Sequence, residues 1–327
     1  MTDNAAETGA GRSTRGPWIR RARHAAEGLL LRGVLALFRA LPVEAASALG
    51  ARLARALAPA RRSRIAERNL ALAMPELDRD RRAAIVRGVW ENVGRTLGEF
   101  AHLDRIYPED RVEVRGEENI IAARDDGVGG IFFSAHYGNW ELLSVLLVRY
   151  GIAPVPVYRP ANSPGIERAI QHRRLAAHPI EGVEYLPKTA RGTRGALRAL
   201  RQGRHLAMLL DQKMNRGAPV PFFGRDAMTA MAAAEMAVRY RVPLIPGRIE
   251  RLRGARFRLT ILPPMALPET GDVKADAAEL MRAVHALFED WIRERPDHWL
   301  WLHRRWPGEE QPGPAGTPPG GMSGKEN

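Results

Sequence analysis

The spacing of apolar and polar positions divides the chain into a helical first third and a remainder in which helical and strand periods alternate. Residues 28–41 are rich in leucine, valine and alanine, interrupted by Arg32 and Arg39. Their seven-residue separation puts both arginines on one helical face. Pro42 ends this run well short of the roughly 20 apolar residues that a bilayer span requires. Residues 43–58 repeat the pattern, with Arg52 and Arg55 before Pro59. Helical spacing continues over 61–74 and 80–103, where Ile85, Val89, Trp90, Val93, Leu97 and Phe100 share a face.

Beyond that point the period changes. Residues 112–114, 129–134, 153–158 and 205–210 read as strands, and 244–250 and 257–262 as a strand pair. Helices are predicted over 141–150, 164–177, 193–201, 228–239 and 275–293. Strands and helices alternating at these lengths predict an α/β fold with a largely buried sheet. The ends differ. Residues 1–24 read as a disordered, basic arm, and 307–327, half of them Gly or Pro, as a disordered tail. The main α/β domain is expected over 60–306.

Residues 25–59 admit two readings. One is a membrane-associated helical hairpin lying in the interface, with its arginines at lipid phosphates. The other is a pair of amphipathic helices covering the core. The arginines break the apolar core that a cleavable signal peptide needs.

Composition narrows the chemistry. The 327 residues carry a formal net charge of +13, and four of the 50 basic residues are lysines (Lys188, Lys213, Lys274, Lys325), leaving 46 arginines. Such a balance seeks an anionic partner: nucleic acid, anionic lipid or an acidic protein. Genomic bias alone would produce the same arginine preference. No basic–aromatic interleaving or zinc-finger spacing favours nucleic acid. The absence of cysteine excludes disulfides, thiolate metal sites and a cysteine nucleophile. There is no Gly-x-Ser-x-Gly elbow and no phosphate-cradling loop, and no His, Asp and Glu positions have metal-ligand spacing.

The stretch Ile131-Phe132-Phe133-Ser134-Ala135-His136-Tyr137-Gly138-Asn139-Trp140-Glu141 delivers a histidine at the carboxyl end of a buried strand, where open α/β sheets place their sites. A glycine allows a tight turn, and a carboxylate arrives as the next helix opens. A carboxylate that fixes an imidazole tautomer frees the other ring nitrogen to take a proton from a hydroxyl. By spacing alone, a strand-end histidine satisfied by backbone remains the alternative.

His136-x4-Glu141 resembles the signature of lysophospholipid-type acyltransferases, and its surroundings resemble the lipid A biosynthesis acyltransferases. The resemblance extends through Val157-Tyr158-Arg159-Pro160, Leu209-Leu210-Asp211-Gln212, Val220-Pro221-Phe222-Phe223-Gly224 and residues 296–306. It implies a central mixed, mostly parallel sheet flanked by helices, and acyl transfer from acyl carrier protein to a hydroxyl of a lipid A precursor. His136 would be the general base and Glu141 its orienting carboxylate. Arg159 and Asp211 match the family's later Arg and Asp. Arg159 would bind a lipid phosphate or the donor's phosphopantetheine, or form a structural ion pair; Asp211 would partner that arginine or cap the sheet end.

The resemblance further implies no cofactor of the chain's own, the phosphopantetheine belonging to the carrier protein. Acyl carrier protein, an anionic glycolipid and a membrane surface are the expected partners, at the cytoplasmic face of a bacterial inner membrane. Two alternatives stay open: the same chemistry on another glycolipid or a lysophospholipid, and a catalytically idle membrane-surface protein.

Overall fold

The computed structural model describes residues 17–106 and 111–306. The predicted tail at 307–327 and residues 1–16 of the predicted arm lie outside the described residues. Residues 17–24 are helical and open α1 (Pro17–Ala40), which is followed by α2 (Val43–Ala56). Then come α3 (Ala60–Ala73), α4 (Arg79–Phe100) and the short α5 (Leu103–Ile106). Asp78 caps α4, its carboxylate accepting from the Arg81 N–H at 2.7 Å.

The remaining elements are β1 (Val112–Arg115), α6 (Glu117–Asp125), β2 (Ile131–Ser134), α7 (Leu142–Arg149), β3 (Val155–Tyr158), α8 (Pro164–Ala176), β4 (Leu186–Pro187) and α9 (Ala190–Arg201). They continue through β5 (Leu206–Leu209), β6 (Lys213–Phe222), β7 (Arg225–Thr229), α10 (Ala232–Tyr240), β8 (Leu244–Arg253), β9 (Arg256–Ile261) and α11 (Val273–Glu294).

Seven strands form one sheet in the order β1-β9-β8-β2-β5-β3-β4. Every neighbouring pair is parallel except β8 with β9. The expected α/β architecture with a mixed, mostly parallel sheet is therefore present. β2 lies at its centre and is buried throughout. Successive side chains leave opposite faces. Ile131 and Phe133 thus join the core beneath α11, where Phe133 meets Phe288 edge-on, while Phe132 joins the core against α7. α11 buries Ala277, Leu280, Met281, Val284, Phe288, Trp291 and Ile292, the spacing of one broad helical stripe.

Residues 25–59, read either as a hairpin in the membrane interface or as amphipathic helices covering the core, lie in α1 and α2, and α2 packs on α4. Gly50 and Gly94 let the two backbones meet: a Cβ on Gly50 would stand 2.1 Å from the Gly94 carbonyl oxygen. On the outer face of α1, Leu29, Leu30 and Leu37 are all more than 60 % exposed. No described helix is long and apolar enough to cross a membrane. Residues 213–229 form the β6–β7 hairpin, which the apolar spacing does not predict. Phe223 and Gly224 both take positive φ (52° and 68°), the backbone of a primed hairpin turn.

Candidate active site

Because β2, β3, β4 and β5 run in parallel, their carboxyl ends share one edge of the sheet. That edge collects His136 after β2, Arg159 after β3, Lys188 after β4, and Asp211 and Gln212 after β5. His136, Arg159, Lys188 and Gln212 line one open cavity of about 150 Å³, together with Trp140, Tyr158 and Tyr185.

His136 is held from both sides. Its Nδ1–H donates to Asp211 Oδ1 at 2.8 Å, and its backbone N–H donates to Oδ2 at 2.9 Å. Trp299 Nε1 donates to the same Oδ2 at 2.8 Å. With the proton on Nδ1, Nε2 presents a lone pair to the cavity, where the Gln212 side-chain amide donates to it at 3.1 Å. Asp211 is 5 % exposed. Burial pushes its carboxyl up, but the facing His136 charge, the hydrogen bonds from the His136 ring and backbone, and Trp299 outweigh burial and hold it below the usual carboxylate range.

Glu141 does not make this contact. The resemblance implies it as the partner of His136; the structure gives that position to Asp211, 75 residues away in sequence. Glu141 opens α7, and its carboxylate faces α8, where Arg174 grips it with Nε at 2.9 Å and Nη2 at 2.7 Å. The Arg174 guanidinium also stacks near the rings of Tyr158 and Tyr185, at 5.7 and 5.6 Å. Glu141 therefore pins the start of α7 to α8 and forms a cavity wall. The expected Arg159–Asp211 pairing is likewise absent: Arg159 is exposed, and Asp211 is engaged by His136 and Trp299.

The turn after His136 is fixed from below. Gly138 has φ 57°, and a Cβ there would lie 1.9 Å from the Ile249 carbonyl oxygen. Asn92 Nδ2 and Thr96 Oγ1 donate to the Gly138 carbonyl at 2.9 and 3.3 Å. Asn139 Nδ2 donates to Glu99 Oε2 at 2.8 Å. Glu99 is fully buried and bidentate with Arg251, whose Nε also reaches Asn92 Oδ1 at 2.9 Å. A buried ion pair thus anchors the loop carrying His136.

From above, the C-terminal aromatic segment closes over the same loop. Gly138 N–H donates to the His298 carbonyl, and Leu300 N–H to the His136 carbonyl, both at 3.0 Å. Trp299 and Trp301 are buried core residues. The sequence marks this block as aromatic, but neither the Trp299–Asp211 bond nor the Glu99–Arg251 anchor has a local sequence signal. Among the described residues no group of His, Asp and Glu is placed to hold a metal ion.

Comparison with known proteins bears on this arrangement. A family model described as "Bacterial lipid A biosynthesis acyltransferase" matches residues 19–307. The chain belongs to the bacterial lipid A biosynthesis acyltransferase family. A lipid A biosynthesis lauroyltransferase of Escherichia coli is 27 % identical over 257 residues, covering 75 % of this chain and 79 % of the relative. A lipid A biosynthesis palmitoleoyltransferase of the same organism is 25 % identical over 286 residues, with 84 % and 88 % covered. A phosphatidylinositol mannoside acyltransferase of Mycobacterium tuberculosis is 26 % identical over 223 residues, covering 66 % of each chain. The family match spans α1 through the C-terminal aromatic segment, so it takes in each element that builds the His136 site.

Proposed function

We propose that this acyltransferase-family protein moves a fatty acyl group from the thioester of acyl carrier protein to a hydroxyl of a lipid A precursor. The observation that carries the reading is the His136–Asp211 pair at the sheet's carboxyl edge, with Nε2 facing the cavity. In the reaction His136 Nε2 takes the proton of the acceptor hydroxyl as its oxygen forms a bond to the thioester carbonyl carbon. Asp211 holds the tautomer and stabilises the imidazolium. Collapse of the tetrahedral intermediate breaks the C–S bond, and the imidazolium returns its proton to the departing thiolate. An ester and a free thiol result, without an acyl-enzyme.

Glu141 is assigned a structural part, holding α7 against α8 through Arg174. Arg159, exposed at the cavity mouth, is assigned to anionic substrate groups, for which its planar fork is suited. The chain needs no cofactor of its own in this scheme, since the phosphopantetheine arm arrives with the carrier protein.

A membrane-surface location is part of the reading, at the cytoplasmic face of the inner membrane where carrier protein and lipid acceptor meet. It is supported by the exposed Leu29, Leu30, Val34 and Leu37 on α1 beside Arg20, Arg21, Arg23 and Arg32. The likeness to a phosphatidylinositol mannoside acyltransferase supports a second reading in which another glycolipid is the acceptor.

Purified protein should be offered lauroyl-carrier protein or lauroyl-coenzyme A with a lipid A precursor, a mannosylated phosphoinositide or a lysophospholipid, and products weighed by mass spectrometry. One added acyl mass on the lipid A precursor, from the carrier-protein donor, is expected. Transfer only to another acceptor, or none, would overturn the reading.

A further inference from the structure

Consecutive residues after β5 clasp both nitrogens of the His136 ring. Asp211 accepts from Nδ1–H at 2.8 Å, and the Gln212 side-chain amide reaches Nε2 at 3.1 Å. On its other side, Gln212 Oε1 meets the Lys188 ammonium at 3.5 Å. The two neighbours dictate how the amide is turned. Nδ1 donates to Asp211, so Nε2 accepts and requires the amide NH₂; an ammonium has only donors and requires the amide oxygen. Asp211, His136, Gln212 and Lys188 thus form a polar line with a carboxylate at one end and a cation at the other. The Lys188 charge lies within electrostatic reach of both Asp211 and Arg159. An ammonium at the carbonyl end of an amide polarises it and makes its N–H groups better donors.

The Gln212 amide stands where the acceptor has to enter. Nε2 has one lone pair, and a hydroxyl giving up its proton must take it. The hydroxyl oxygen then lies within about 3 Å of Nε2, and the amide NH₂ is displaced by about the width of that oxygen. Attack turns the thioester carbonyl oxygen into an oxyanion one bond beyond the new linkage, beside the displaced amide. The first N–H groups of the His136 turn are engaged elsewhere. His136 N–H is held by Asp211 at 2.9 Å, Tyr137 N–H by the Ala135 carbonyl at 2.7 Å, and Gly138 N–H by the His298 carbonyl at 3.0 Å. Gln212 and Lys188 line the cavity together with Trp140, whose ring centre is 5.3 Å from that of His136. Beside this apolar wall a hydrogen bond to developing charge is stronger than in open water.

We propose that the Gln212 amide donates to the oxyanion of the tetrahedral intermediate, and that Lys188 positions and polarises that amide from behind. The proposal rests on the acyl-transfer reading above and adds the group that meets the negative charge. As the acceptor oxygen bonds to the carbonyl carbon, the C=O electron pair moves onto oxygen and is met by Gln212 Nε2–H. When that pair returns, the C–S bond breaks and the thiolate leaves with the proton held by His136. Gln212 gives up no proton and forms no bond to the acyl group.

The full chain is tested with Gln212→Leu and Lys188→Met, each checked by thermal unfolding. Gln212→Leu should lower kcat about 10²–10³-fold, with both substrate KM values within about threefold of wild type. Lys188→Met should lower kcat about tenfold and add little to Gln212→Leu, since without the amide the ammonium has nothing to position. Lys188→Arg should recover part of the loss. A raised KM with kcat preserved makes these residues substrate anchors and overturns the proposal, as does a Gln212→Leu kcat within about threefold of wild type. The His136→Ala background separates oxyanion contact from steadying of the imidazole. There, Gln212→Leu should cost at least about a further tenfold in residual transfer; no further loss means that Gln212 acts only through His136, and overturns the proposal.

Calorimetric titration gives a readout without turnover. The probes are methyl octylphosphonate, whose anionic oxygen stands for the oxyanion, and the neutral ester methyl nonanoate. Wild type should bind the phosphonate at least about tenfold more tightly than Gln212→Leu does, with the ester bound alike by both. Equal phosphonate affinities overturn the proposal. Wild-type transfer with an undiminished Gln212→Leu rate defeats the oxyanion assignment alone, whereas absence of transfer by wild type defeats the acyl-transfer reading.

Discussion

Replacing Asp211 by asparagine changes one atom type in a site where three N–H groups converge on a carboxylate. Asparagine's single oxygen can keep the Oδ2 position, accepting from the His136 backbone and from Trp299. Its NH₂ group then faces His136 Nδ1, which must become an acceptor. The ring proton moves to Nε2, the atom that serves as base, and the Gln212 amide meets a donor where it had an acceptor at 3.1 Å. Losing a positioned general base costs about 10²–10⁴ in rate, and losing the buried charge beside the imidazolium places the expected effect near the upper end. That is about 4–5 kcal/mol in the barrier.

Asp211→Asn should therefore lower kcat about 10³–10⁴-fold with little change in substrate KM. Glu141→Gln loses part of its grip on Arg174, a stability cost of about 1–3 kcal/mol, and should retain kcat within about tenfold of wild type in its folded fraction. Initial rates of acyl transfer, normalised to folded protein by circular dichroism, make the comparison. If Glu141→Gln loses as much kcat as Asp211→Asn, the assignment of Asp211 as the orienting carboxylate is refuted.

Other consequences are independent of that one. Glu99→Ala leaves Arg251 buried without its counter-charge, and should cost about 3–5 kcal/mol in urea unfolding; a loss under about 1 kcal/mol would contradict the anchor. Burial, aided by Arg305, pushes His285 down to about 4, and burial, aided by Arg295, pushes His298 down to about 3, from an ordinary 6.5. Their contribution to stability is full above pH 6.5. Below it the unfolded chain takes up protons that the folded chain refuses, so stability falls as pH falls, by about 1.4 kcal/mol per pH unit for each histidine, and a flat stability between about pH 7 and about pH 5 would refute this. Leu30→Asp/Leu37→Asp on the exposed face of α1 should weaken sedimentation with anionic vesicles at least about tenfold without changing Tm, whereas unchanged sedimentation would remove α1 from the membrane contact.

Periodicity alone located most of the sheet's strands and the long helices, because a fully buried strand such as 131–134 and a striped helix such as α11 carry strong local signals. The β6–β7 hairpin escaped because Pro219 and Pro221 interrupt its strand pattern, and α6 because nine residues show little amphipathic contrast. His136 was readable from its position after a buried strand. Its partner was not, since Asp211 reaches it only through the pairing of β2 with β5, which spacing along the chain does not reveal. Glu141, five residues away in sequence, is drawn to Arg174 on α8. The Glu99–Arg251 anchor joins residues 152 positions apart and lies equally beyond any local pattern.

The central claim, that His136 is the base for direct transfer of an acyl group to a lipid hydroxyl, is tested most directly by single-turnover transfer with wild type and His136→Ala, read by mass spectrometry of lipid and protein together. Wild type should convert thioester to acylated lipid with no acyl mass on the protein, and His136→Ala should lose at least about 10²-fold in rate. Near-normal transfer by His136→Ala, or an acyl group trapped on the wild-type chain, would contradict the account.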